Sequence, residues 1–130
     1  MPHIVVHVSG QPDPEQTRRI IHCVTKSTVE ILGKRPEVVA IALIHIARDQ
    51  WFVGGESLAE LGRNAFHLDI TITDETNLKS EKARYLAAIF AQMSEVLGDV
   101  HDCSYIHVID TRAAAYGYGG LTQEHRYQHP

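Results

Sequence analysis

Apolar positions along this chain change period several times, and each change marks an expected element. Ile4 to Val8 is a short apolar run rich in β-branched residues, interrupted by His7 and closed by Gly10, as a buried strand would be. Ile20, Ile21, Val24, Thr28, Ile31 and Leu32 then form one stripe at helical spacing. Asp13 is suited to cap that helix, with Pro14 at its first position and Gln16 placed to return a bond, and Gly33 stops it. Val38 to Ile46 supplies a second strand buried over most of its surface, with His45 near its end. The order then recurs. Leu68 to Thr73 alternates apolar and polar side chains, and Tyr85, Leu86, Ile89, Phe90, Met93, Val96 and Leu97 make a second helical stripe. Gly98 ends that helix, and Tyr105 to Ile109 is the closing strand.

The recurrence extends to the letters themselves. Glu30-Ile31-Leu32-Gly33 returns as Glu95-Val96-Leu97-Gly98, and Gly54-Gly55 as Gly119-Gly120, both at a shift of 65 residues (95 − 30 and 119 − 54). At that shift Ile41 and Leu43 fall on Ile106 and Val108, and Trp51 on Tyr116, so an aromatic precedes the glycine pair in each half. Two β-α-β units predict an α+β, two-layer fold, with one four-stranded mixed sheet and two helices on one face. Each crossover makes its own strands parallel, and the units join antiparallel about a pseudo-twofold axis. We expect a single domain over 1–130, with repeat one at about 2–62, repeat two at about 63–122 and a mobile tail at 123–130. The uncovered sheet face calls for a partner, which in so short a chain is expected to be further copies of itself.

Composition narrows the function classes. The 130 residues are 44% hydrophobic and 22% charged, those of a globular protein, and the net charge of −4 gives no global reason to expect nucleic acid or an anionic membrane as partner. The N-terminus shows neither a basic leader nor a long apolar run, and Cys23 and Cys103 lie in helix-like and strand-like stretches, as buried thiols in a reducing compartment do. The expected location is the cytoplasm. The glycine pairs lack a following Lys-Ser/Thr and read as hairpin turns, so no nucleotide is expected. His125 and His129 have i, i+4 spacing but no indicated third ligand. Neither a cofactor nor a metal is expected.

The residue with the most distinctive chemistry is Pro2. A small residue after Met1 favours removal of that methionine, which would expose a secondary amine able to take up a proton. An ordinary α-amino group has a pKa of roughly 7.7–8.0, and proline starts higher, so desolvation or nearby cations would bring it towards a working base.

Pro2 opening a strand, a β-α-β unit of this length and the aromatic beside a Gly-Gly hairpin in Trp51-Phe52-Val53-Gly54-Gly55 resemble the 4-oxalocrotonate tautomerase group of the tautomerase superfamily. Gly33-Lys34-Arg35-Pro36, the strand Tyr105-Ile106-His107-Val108-Ile109-Asp110 and Ala113-Ala114-Ala115-Tyr116-Gly117 resemble its macrophage migration inhibitory factor branch. The resemblance implies a homotrimer with the N-terminal proline on the floor of a pocket between neighbours, and a small carboxylic or keto acid as substrate. It implies Pro2 as general base, Lys34 on an acidic substrate group and Tyr105, from the neighbouring subunit, on a carbonyl or enol oxygen. His107 falls where the relative has an asparagine, and Trp51 and Tyr116 match apolar wall positions. Two arginines of the single-unit enzymes are missing, their places held by Pro12 and by Ala40 and Tyr105, which puts dicarboxylate recognition of that kind in doubt. Arg112, Arg48 or Arg63 is expected to border the pocket instead. Ala65-Phe66 stands in the second repeat where Pro2 stands in the first, so one site per chain is expected. The activity implied is keto–enol tautomerisation, with a hydratase or dehalogenase, or a binding protein of the same fold, as alternatives.

Overall fold

The computed structural model describes residues 2–130, so Met1, on whose removal the Pro2 amine depends, lies outside the described residues. The chain runs β1 (His3–Ser9), α1 (Pro14–Glu30), β2 (Ala40–Ile46), a hairpin of β3 (Phe52–Val53) and β4 (Glu56–Ser57), and α2 (Leu58–Leu61). It then repeats as β5 (Phe66–Thr73), α3 (Lys79–Leu97), β6 (Ile106–Thr111), a hairpin of β7 (Gly117–Tyr118) and β8 (Leu121–Thr122), and α4 (Gln123–Gln128). The main sheet has the order β2-β1-β5-β6, with β1 parallel to β2, β5 parallel to β6, and β1 antiparallel to β5. This is the expected pair of crossover units joined at their first strands.

Local chemistry sets the boundaries. The Asp13 carboxylate accepts from the Glu15 N–H at 3.2 Å and Pro14 fills the first turn of α1. Glu81 accepts from the Leu78 N–H at 2.6 Å and so opens α3. Gly98, at φ 72°, closes α3. The expected strand from Val38 starts at Ala40, because Pro36 initiates a short 3-10 turn over Pro36–Val38 that draws the Val38 and Val39 N–H groups to the Arg35 and Pro36 carbonyls. The closing strand runs on to Thr111, with Tyr105 just before its first residue.

The core lies between the sheet and its two long helices. Ile4, Val6, Leu68 and Ile70 from the central strands meet Ile20 and Val24 of α1 and Tyr85 and Ile89 of α3. The Tyr85 hydroxyl is satisfied there by Thr28 Oγ1 at 2.9 Å, and Thr28 also donates to the Val24 carbonyl at 2.7 Å. The other face carries the alternate residues. Ile44 and Ile109 are 44% and 42% exposed on its edge strands, while His7 and His67 lie directly opposite each other at its centre.

The segment expected to be a mobile tail is α4. It repeats α2 at the 65-residue shift: Ser57 Oγ accepts from the Glu60 N–H at 3.1 Å, and Thr122 Oγ1 accepts from the His125 N–H at 3.0 Å. The amide that opens each helix is held alike, Leu58 N–H on the Trp51 carbonyl and Gln123 N–H on the Tyr116 carbonyl, both at 2.9 Å.

Candidate active site

Pro2 is buried and its carbonyl accepts from the Ala40 N–H at 3.3 Å, which fixes it at the start of β1 beside the edge strand. It lines a cavity of about 500 Å3 with Lys34, Tyr118, Gln123, Arg126 and Tyr127. Lys34 reaches this place because Gly33, at φ +70°, turns the chain out of α1 in a conformation that L side chains rarely adopt. Its ammonium donates to Thr76 Oγ1 at 3.2 Å. Burial pulls the Lys34 pKa below that of a free lysine, opposed by the charges of Glu81 and Asp110.

The cavity is electropositive. Its neighbour Arg35 is engaged with Glu37 at 2.7 Å, but among the described residues Arg126 has no carboxylate partner. The Arg126 guanidinium lies 3.8 Å from the centre of the Tyr118 ring and donates through Nη2 to the Tyr118 carbonyl at 2.9 Å. Its Nε is buried with no hydrogen-bond partner, as is Oε1 of Gln123, a residue only 4% exposed. A cationic, partly desolvated pocket suits an anionic ligand and disfavours any further positive charge placed within it.

The remaining expected site residues lie elsewhere in the chain. Tyr105 is 58% exposed, beside an apolar groove shared with Leu86 and Phe90, and its ring stands 5.7 Å from His67 and 6.3 Å from His107. His107 faces Asp69, Nδ1 to Oδ1 at 3.4 Å, on the uncovered face of the sheet. Trp51 is buried against Leu58 and Ala65 at the opposite end of the pseudo-twofold arrangement, with His67 at 4.7 Å. Tyr116 shares its hydroxyl with Thr73 at 2.6 Å, and Thr73 in turn accepts from the cavity residue Tyr127 at 3.4 Å. Arg112 is exposed and outside the cavity lining, while Arg48 and Arg63 are spent on the Arg63, Asp99 and Val100 carbonyls. Two arginines line the cavity with Pro2: Arg35, which is paired with Glu37, and Arg126, from the segment expected to be a tail. The signal for Arg126 was the repeat itself, since α2 predicts a helix 65 residues later. His125 and His129, at the other side of α4, stack their rings at 4.2 Å.

Comparison with known proteins bears on the family and the fold. A family described as "Tautomerase enzyme" matches residues 2–61. The probable tautomerase K2 of Dickeya dadantii is 35% identical over 51 residues, which span 39% of this chain and 76% of that protein. Among solved structures, native fused 4-OT superposes with a TM-score of 0.83 at 20% identity, covering 94% of this chain and 96% of that one. W0 fused 4-OT, described as a wild-type symmetric trimer, superposes with a TM-score of 0.79 at 21% identity, covering 93% and 97%. These two likenesses are of fold.

Proposed function

The chain belongs to the tautomerase family, and we propose from that premise that it is an isomerase in which the Pro2 amine, freed by removal of Met1, acts as general base on a small keto or enol acid. The observation that carries this reading is the burial of Pro2 in the same electropositive cavity as Lys34. Pro2 takes a proton from one position of the substrate and returns it to another, so nothing is consumed and no cofactor is needed. Lys34 neutralises the substrate carboxylate, and its charge together with that of Arg126 favours the neutral amine.

Tyr105 enters this scheme through a second copy. It sits beside edge strand β6, far from its own cavity, with its ring exposed, and a homotrimer would bring such a ring to a neighbour's Pro2. The apolar edge residues Ile44 and Ile109 and the symmetric trimer of W0 fused 4-OT support that assembly. No helix among the described residues is long and apolar enough to cross a membrane, and both cysteines are free. A cytoplasmic location belongs to the proposal, supported by the two unpaired cysteines, which suit a reducing compartment.

The test is ketonisation of phenylenolpyruvate followed by its ultraviolet absorbance, with the mass of the purified chain measured alongside. Protein lacking Met1 should be active, and Pro2→Ala, a primary amine, should be impaired. Full activity in protein that keeps Met1 or carries an acylated Pro2 would exclude the amine as base.

A further inference from the structure

The duplication supplies an internal control for the cavity. Leu58 and Leu61 of α2 occupy the backbone stations that Gln123 and Arg126 occupy in α4, as the matching cap and hairpin hydrogen bonds show. In the first repeat these stations are an apolar plug: Leu58, 0% exposed, packs with Trp51, Ala65 and Leu61. In the second repeat the same buried station holds an amide and the next turn holds a guanidinium. Burying such groups is unfavourable unless they find partners. Here Gln123 Oε1 is an acceptor without a donor and Arg126 Nε a donor without an acceptor, although they lie one turn apart on one helix. Both line the cavity that contains Pro2, and the apolar plug is at the end that has no terminal proline.

We infer that Gln123 and Arg126 are the substrate-recognition pair of this cavity. Arg126 Nε donates to the carboxylate of the substrate, and Gln123 Oε1 accepts from a hydroxyl on the adjacent carbon, the pattern presented by a 2-hydroxy or enol acid. The guanidinium is preorganised for this role by the Tyr118 ring beneath it and by the Tyr118 carbonyl on Nη2. Gly119 makes room for it: at φ +62°, a Cβ there would stand 2.9 Å from Arg126 Nη2. The inference deepens the tautomerase reading and rests on it for the identity of the cavity as the site.

Binding, measured without turnover, tests the pair. Calorimetric titration with phenyllactate and with 3-phenylpropanoate, which differ by the 2-hydroxyl, should show tighter binding of phenyllactate to the unaltered protein. Arg126→Gln should weaken both by about tenfold or more, with Arg126→Lys intermediate because an ammonium does not reproduce the planar edge. Gln123→Leu, which copies the α2 plug, should abolish the preference for phenyllactate while leaving 3-phenylpropanoate binding unchanged, and should raise the melting temperature. A merely structural glutamine would instead lower the melting temperature and leave the preference intact. Unchanged affinity for both acids in Arg126→Gln, or no binding of either acid by the unaltered protein, overturns the inference. Binding that depends on Arg126 in a protein with no ketonisation activity would retire the tautomerase reading and leave the recognition pair standing.

Discussion

Thr28 Oγ1 and Tyr85 Oη meet at 2.9 Å in the fully buried seam between α1 and α3, one hydroxyl from each repeat. Burial pushes the Tyr85 phenol up to about 12, with the Thr28 hydrogen bond pulling the other way. The pair therefore joins the two halves as a neutral hydrogen bond at all working pH values.

Tyr85→Phe removes that bond but leaves Thr28 its own bond to the Val24 carbonyl, so no hydroxyl is stranded. The expected loss is about 1 kcal/mol, the net worth of a neutral hydrogen bond. Thr28→Val strands the tyrosine hydroxyl instead and should cost more, about 1–3 kcal/mol. Urea unfolding of the two variants gives the comparison, and equal losses would mean that the Tyr85 hydroxyl finds another partner.

Lys34→Ala should separate acid from neutral substrates. Losing a charged hydrogen bond costs about 1.5–3 kcal/mol, equivalent to about ten- to over a hundredfold in kcat/KM. That loss should fall on phenylenolpyruvate, while a neutral ketone analogue loses only the smaller part that Lys34 contributes by keeping the Pro2 amine neutral. An equal loss for both would show that Lys34 acts on the base or on the fold, and not on the carboxylate.

His67 gives the protein a pH dependence on its mildly acidic side. Its pKa is lowered, chiefly by partial burial and also by the nearby His7 and His107, against the opposing Phe66 backbone contact and the Asp69 charge. The Tyr105 and Trp51 rings lie against it, and its Nδ1 accepts from the Tyr105 N–H at 3.2 Å. The unfolded chain therefore binds more protons than the folded one between the lowered value and about 6.5. Stability should rise with pH through that window and be lost as pH falls through it. His67→Gln should flatten the dependence of the urea midpoint on pH there, and an unaltered slope would place its origin at other groups.

Much of the fold was legible because its signals are local. The stripe from Ile20 to Leu32 and the alternation from Leu68 to Thr73 are direct consequences of which face each element buries. The match between Glu30–Gly33 and Glu95–Gly98 then fixed how the elements repeat. Pro2 and Lys34 were legible as neighbours through family resemblance, and one cavity holds both. Helix α4 was not, because Gln123-Glu124-His125-Arg126-Tyr127-Gln128 has no apolar stripe and is too short to form alone. It exists through the Thr122 cap and the hairpin before it, and Arg126 was hidden with it. Tyr105 lies outside that cavity in its own chain, which was equally beyond the strand pattern, since a pattern of faces does not order the strands of a sheet.

The unlike plugs at the two ends of the pseudo-twofold arrangement give the molecule a gradient of local stability. The α2 end is sealed by Leu58, Trp51 and Ala65, whereas the α4 end is closed by groups whose hydrogen-bonding capacity is partly unused. Local opening has the lowest free energy where apolar burial is least. The amides of β7, β8 and α4 should therefore exchange with solvent faster than their counterparts in β3, β4 and α2, although their backbone bonding is alike. A ligand that supplies the missing partners would even out the two ends, so occupancy of the cavity should be readable as slowed exchange in the second repeat alone.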